Sequence, residues 1–403
     1  MAARRELDER EVLGLGYLKK VLPLFERLHE NGCQRDKAGN RRLHMDQYCA
    51  LVLLFLYSPM VDSLRAIQRV SELKKVRQRL GCGRVSLGSL SEATRVFDPE
   101  PLKQIIGELA DRVEPVRDVS RGHVDHLLTA VDGTLCGVLP RIARAAHTGA
   151  KTTRDPNASA WRLHTHFDID RSVPKRIDVT VGRNGGKTDE RQVLRDRLQS
   201  DHCYVMDRWY AQRSLFNEVH AKGSSYVCRL RDNSRFETHQ RRELTDADRA
   251  AGVLSDEVVT LGTAEKTDHP TRLVCVRTTP HAKRGTHGKG STGPASDGVL
   301  RLATNLLDPP AEIIAAIYRR RWAIEVFFRF FKHALGCRHL IARDREGIEI
   351  LAYCAIIACL LLSLTTGRKP TKPTFEMLSW YMVGLANEEE LLAHLKKLKR
   401  HAE

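Results

Sequence analysis

The chain has 403 residues, enough to bury a full core and to hold two or three domains. Lys and Arg number 66 against 50 Asp and Glu, a net charge of +16; a polyanion is the expected partner, nucleic acid first, with a merely basic soluble protein as the alternative. The ten cysteines form no CxxC pair and no Cys/His set at zinc spacing, which argues against a zinc module and reads as reduced thiols in a cytosolic protein.

MAARRELDER at the start is charged where a secretory leader needs an apolar core, so a cytoplasmic location is expected. Residues 1–115 read as helical, with apolar positions at helical spacing through 12–28, 44–57, 63–80 and 101–113. Ser89-Leu90-Ser91-Glu92 reads as a helix start. Such a bundle suits either a DNA-end-recognition domain or an ordinary packing domain, and it carries no helix-turn-helix signature.

From His126 the pattern changes. Residues 126–131 (HLLTAV) read as a strand that ends in Asp132-Gly133-Thr134. Further strands are expected at 163–169 and 176–181, and a helix at 188–198. The run 203–206 (CYVM) ends in Asp207; a helical pattern over 209–219 and a strand at 225–230 follow. Two buried strands that each end in an Asp define an α/β architecture with ligands at the strand ends. Residues 232–298 break this alternation and read as a β-rich insertion with a basic loop at 281–293.

Residues 313–340 hold no Gly or Pro before Gly336, so a single buried helix of roughly six turns is predicted. On it Tyr318, Arg321, Glu325 and Lys332 fall within about 60° of one another. This stripe is either an internal Arg321–Glu325 salt bridge or a functional site. The apolar run 350–364 is short for a bilayer span and reads as a central buried helix. After the linker at 367–374 and a helical stretch at 375–385, Asn387 and Glu390 form a capping box. The last helix is expected to pack on its own domain through Leu391, Leu395 and Leu398, with dimerisation as the alternative.

Asp132, Asp207 and Glu325 are the candidate acids. Carboxylates that converge repel one another unless they hold cations, and an all-oxygen set favours Mg²⁺ or Mn²⁺. Two such ions about 4 Å apart activate an attacking oxygen and stabilise a leaving oxygen of a phosphodiester. In a basic protein that substrate is a nucleic acid backbone.

The same residues resemble a known family. Tyr318-x2-Arg321-x3-Glu325-x6-Lys332 is similar at every spacing to the YREK signature of bacterial insertion-sequence DDE transposases, of the insertion-sequence-four type. Asp132-Gly133-Thr134 resembles the first acidic motif, Asp207-Arg208-Trp209-Tyr210 the second, and 302–307 (LATNLL) also looks like the family. The resemblance covers roughly residues 85–345. It implies a ribonuclease-H-like catalytic core over 116–346, interrupted by the β-rich insertion at about 232–298. A helical N-terminal domain (1–115) precedes it and a helical C-terminal region (347–403) follows.

It also implies cut-and-paste transposition through hairpin ends and strand transfer. Its partners would be double-stranded DNA, as terminal inverted repeats and target, and a second copy of the chain in the synaptic complex, with no membrane. Asp132, Asp207 and Glu325 would hold two Mg²⁺, with Mn²⁺ able to substitute. Arg321 and Lys332 would clamp phosphates, Tyr318 would bond a phosphate, and Arg208 would help hold the DNA end. Trp209 and Trp322 could stack on an unpaired base, but beside apolar runs they read as core and are left out of the site. The alternatives are a metal-dependent nuclease of the same fold that does not pair ends, and a domesticated DNA-binding protein that does not cut.

Overall fold

The computed structural model describes residues 21–37, 39–58, 60–115, 124–137, 160–181, 186–278, 298–334, 342, 344–367 and 371–398. The basic loop at 281–293, the start of the helix expected over 12–28, and the central helix beyond Ala334 lie outside them.

The protein is a mixed α/β structure built on one large sheet flanked by helices. Its N-terminal part holds α1 (Leu22–Glu26), α2 (Leu28–Asn31), α3 (Met45–Tyr57), α4 (Leu64–Ser71), α5 (Lys74–Leu80), α6 (Leu87–Val96) and α7 (Glu100–Asp111). The helix expected over 63–80 is thus two helices. Ser71 ends the first by turning its hydroxyl to the Gln68 carbonyl and accepting the Val85 amide, a local bond that competes with the helical ladder. The cap of α6 is Ser86, not Ser89: Ser86 is extended and accepts the Ser89 amide at 3.0 Å.

Among the described residues nine strands follow: β1 (Leu127–Gly137), β2 (Ala160–Asp168), β3 (Val173–Val181), β4 (His202–Met206), β5 (Ser225–Arg229), β6 (Phe236–Arg241), β7 (Val253–Leu261), β8 (Thr271–Arg277) and β9 (Val299–Thr304). They form one sheet in the order β3-β2-β1-β4-β5-β9-β8-β7-β6. The β-rich segment is therefore continuous with the rest of the sheet through β9. Two helices, α8 (Glu190–Arg195) and α9 (Arg213–Ala221), lie between the central strands in sequence, and α10 (Asp246–Ala250) lies between β6 and β7.

β1 does not stop at Asp132. Its parallel pairing with β4 ends at Ala130–Val205, but antiparallel pairing with β2 runs on to Gly137. The strand alternation sorts side chains between two cores. Leu128, Ala130, Cys203 and Val205 join a large apolar core with the N-terminal helices and the later helices. Val131, Tyr204 and Met206 join a smaller one with Leu194, Leu215 and Phe216 of α8 and α9. Asp132 and Asp207 continue the first series, Gly133 the second.

The single central helix predicted over 313–340 is two, α11 (Ala311–Arg320) and α12 (Trp322–Ala334). At the joint the Arg321 amide bonds Tyr318 O and the Ile324 amide bonds Arg321 O, a tightened three-residue spacing. The helix is also less buried than predicted. Trp322 is 55 % exposed and Val326 46 %.

The helix expected over 350–364 is longer. It is α13 (Arg345–Thr366), 22 residues with Asp344 as N-cap and Gly367 (φ 62°) as the left-handed stop. By length and composition it could cross a membrane, but its most apolar window is wholly buried inside the protein. It packs on α3, α6, α7, β3 and α12, and the Tyr57 hydroxyl donates to its Ala358 carbonyl at 2.6 Å. After it come α14 (Lys372–Met382), capped by Thr371, and α15 (Glu388–Lys397), whose Asn387–Glu390 capping box is reciprocal. Leu391 and Leu395 are buried in the large core, and Leu398 packs against it.

Candidate active site

Asp132 and Asp207 each stand two residues beyond the last paired residues of the same parallel ladder, Ala130 and Val205. Adjacent strands thereby deliver two carboxylates just past the end of their parallel pairing. Asp132 Oδ1 accepts its neighbour Gly133 N–H at 2.8 Å, and Oδ2 accepts Arg321 Nη1 at 3.4 Å. Asp207 Oδ1 accepts the Trp209 amide at 2.8 Å and caps the 3₁₀ turn Arg208–Tyr210.

The joint between α11 and α12 brings the third acid in. Arg321 donates through Nη2 to Glu325 Oε1, one turn on, and through Nη1 to Asp132, so one guanidinium links the two acids. The i,i+4 salt bridge and the candidate site are the same object. Arg321 lies 5.8 Å from the Tyr318 ring centroid. Tyr318 and Lys332 are half-buried and Arg208 is exposed.

Burial raises the Asp132 carboxyl to about 7; Arg321 opposes this, while Asp207 and Glu190 reinforce it. Burial also raises Tyr318, to about 12. Among the described residues no three His, Cys, Asp or Glu side chains are gathered tightly enough to hold an ion as they stand. The donor chemistry nonetheless suits a hard divalent cation: oxygen ligands only, and a carboxyl whose negative charge is opposed by burial and by two acidic neighbours, a cost that a cation would offset.

Two aspects of the site were misjudged or missed in the sequence. Trp209 (41 % exposed) and Trp322 (55 %) are not core residues. Each is backed by an arginine, Arg191 at 5.1 Å and Arg329 at 5.4 Å from the ring centroids. Glu190, the first residue of α8, is a further buried acid beside the site, 7 % exposed. It pairs with Arg162 of β2, and its Oε2 accepts the Tyr210 hydroxyl at 3.3 Å. Burial, then Asp207, raise its carboxyl against the pull of Arg162. An acid at a helix start reads as ordinary dipole compensation, so the sequence offered no signal for it.

An α/β sheet that brings Asp132, inside β1, and Asp207, just past β4, beside a helix-borne glutamate defines a protein with a carboxylate-centred site. Residues 124–361 match the transposase DDE domain, and the chain belongs to that family. Members of the family use divalent metal ions and bind DNA. The chain is 24 % identical over 204 residues to a candidate transposase named y4zB of Sinorhizobium fredii (50 % of this chain, 52 % of the relative). It is 28 % identical over 211 residues to a candidate transposase for insertion sequence element IS5377 of Geobacillus stearothermophilus (50 % and 48 %). The chain thus spans about half the length of these two curated relatives. A solved piggyBac transposase synaptic complex with hairpin DNA aligns over 98 % of this chain and 82 % of its own, at 11 % identity and a TM-score of 0.44.

Proposed function

We propose that the chain is an insertion-sequence transposase that cuts and joins DNA at paired transposon ends. Asp132, Asp207 and Glu325 hold two Mg²⁺, for which Mn²⁺ can substitute. The observation that carries the reading is the placement of Asp132 and Asp207 at matched positions past one parallel ladder, with Arg321 tying Asp132 to Glu325. When bound, the ions supply activation of the attacking oxygen and stabilisation of the leaving one. The protein holds the DNA in place. Arg321 exchanges its carboxylate partners for a backbone phosphate, Lys332 and Tyr318 hold phosphates of the same strand, and exposed Arg208 secures the DNA end. Trp209 and Trp322 offer stacking surfaces to an unpaired base.

In this reading residues 116–346 are a ribonuclease-H-like core with an insertion at about 232–298 that extends its sheet. Residues 1–115 recognise transposon ends, and 347–403 support a homodimer in the synaptic complex. The substrates are the terminal inverted repeats and target DNA, met in the cytoplasm at the nucleoid.

The test uses purified protein, Mg²⁺ and linear DNA carrying the sequences that flank the gene, with wild type compared to Glu325→Gln. Specific breaks at inverted ends made by wild type alone support the reading. Binding without cutting by both proteins sinks it, and unspecific cutting by wild type alone points to a general nuclease. DNA affinity should fall steeply with salt as counterions are released.

A further inference from the structure

Glu190 has no part in the roles assigned so far, yet its contacts reach every segment that carries the two aspartates. One carboxylate oxygen pairs with Arg162 on β2, the strand beside Asp132. The other accepts the hydroxyl of Tyr210, three residues past Asp207 and 2 % exposed. The carboxyl group itself fills the space beside Gly133 where a side chain would stand. A methyl group built on Gly133 would come within 2.6 Å of the Glu190 carboxyl carbon and within 2.9 Å of both oxygens, closer than carbon atoms of folded proteins approach. A side chain after Asp132 would therefore have to push the Glu190 carboxylate away from Arg162 and Tyr210.

Strand alternation puts this contact on the face opposite to Arg321. Val131 belongs to the smaller core with α8 and α9, and Gly133 faces the same way, while Asp132 faces α12. Glu190 thus reaches the backbone of the Asp132 segment from behind. That is the arrangement of a brace more than of a ligand.

We propose that Glu190 is a positioning residue: held by Arg162 and Tyr210 and seated on Gly133, it sets the spacing between the segments that carry Asp132 and Asp207. It acts on the cation through those two aspartates, so the inference rests on their proposed metal-holding role. It also gives Tyr210 a task, to tie the turn after Asp207 to α8.

The test is Mn²⁺ affinity of the full chain, by titration calorimetry and by the free-Mn²⁺ electron paramagnetic resonance signal, with thermal unfolding and DNA binding measured alongside. Glu190→Ala and Tyr210→Phe should weaken Mn²⁺ binding about tenfold, the lower end for loss of a partner that orients a metal-holding group. Cleavage should return when Mn²⁺ is raised by the same factor, and DNA affinity should not change. Glu190→Gln keeps an oxygen for Arg162 and a hydrogen-bonding atom for Tyr210, so it should recover most of the affinity.

If Glu190→Ala does not fold, Tyr210→Phe carries the test, because it removes one hydroxyl and keeps the buried ring. Wild-type affinity in Tyr210→Phe and in any folded Glu190→Ala overturns the positioning role. So does equal loss in folded Glu190→Gln and Glu190→Ala, which would make the charge, not the placement, decisive. Asp132→Asn separates the two levels. If it loses Mn²⁺ while the Glu190 and Tyr210 variants do not, only the positioning role fails. If wild type binds no Mn²⁺, or Asp132→Asn binds as wild type does, the metal-holding reading fails and this one with it.

Discussion

Arg272 and Arg321 both sit among carboxylates, and their surroundings differ in kind. Arg272, on β8, is 1 % exposed and meets Asp256 of β7 with two parallel bonds of 2.6 Å, Nε to Oδ1 and Nη2 to Oδ2. Its third nitrogen donates to the Pro309 carbonyl just before α11. Arg321 keeps 12 % of its side-chain surface and divides its two terminal nitrogens between acids from different elements, at 3.4 Å to Asp132 and in a close contact to Glu325. A bidentate pair with every nitrogen engaged has nothing left to offer a substrate. A guanidinium shared by two acids at unequal distances can let one go and take a phosphate instead. In the proposed reading, burial alone does not separate the structural pair from the functional one; the way the partners are shared does.

Substitutions should split the two arginines cleanly. Glu325→Gln is expected to abolish cutting, and Arg321→Ala to slow it by about 10²-fold or more, as loss of a charge stabiliser at the reacting group does. Both proteins should stay folded and bind DNA, as checked by thermal unfolding and a gel-shift titration. Arg272→Met should do the reverse. Stability should drop by ~3 kcal/mol because Asp256 is left buried with its bidentate partner gone and Arg242 3.7 Å away, and Arg272→Met with Asp256→Leu should restore most of it. A denaturant titration reads both. If Arg321→Ala unfolds the protein as readily as Arg272→Met, the contrast between the pairs collapses.

A smaller effect comes from Asp132. Its folded carboxyl titrates near 7, well above the unfolded value, because burial, Asp207 and Glu190 outweigh Arg321. A raised carboxyl contributes stability that is present below the unfolded value, about 3.9, and is lost as pH rises through 7. Metal-free Asp132→Asn should therefore gain stability over wild type at pH 8 and little at pH 4, as thermal unfolding at the two pH values would measure. An equal gain at both would place the carboxyl in the ordinary range. The smallest effect lies far from both arginines: Asn387→Ala should cost ~1 kcal/mol, the ordinary value of an N-cap, read from the same unfolding curves.

Much of the fold was legible in the sequence because its signals are local. The strands around Asp132 and Asp207, the buried helix at 350–364 and the Asn387–Glu390 cap follow from periodicity and capping chemistry within a few residues. Element ends were harder. Ser86 and Ser89 are equally good caps by identity, and only backbone conformation chose between them. The break at Arg321 carries no Gly or Pro, so nothing in the spacing announced it. Trp209 and Trp322 lie next to apolar runs, yet they face outward, because side chains take their direction from the element and not from sequence neighbours.

By itself the sequence determined which acids were candidates and in what order, since residue type and spacing are covalent facts. The stripe of Tyr318, Arg321, Glu325 and Lys332 follows from helical geometry alone. Only the tertiary structure decided which groups share space. Asp132 meets Arg321 across 189 positions, and Glu190 meets Arg162 across 28 and Gly133 by filling the room where a side chain would stand. Local chemistry cannot express such pairings. They are set by strand register and by which face of the sheet each residue joins, and a shift of one residue would exchange Asp132 for Gly133 on the face toward Arg321.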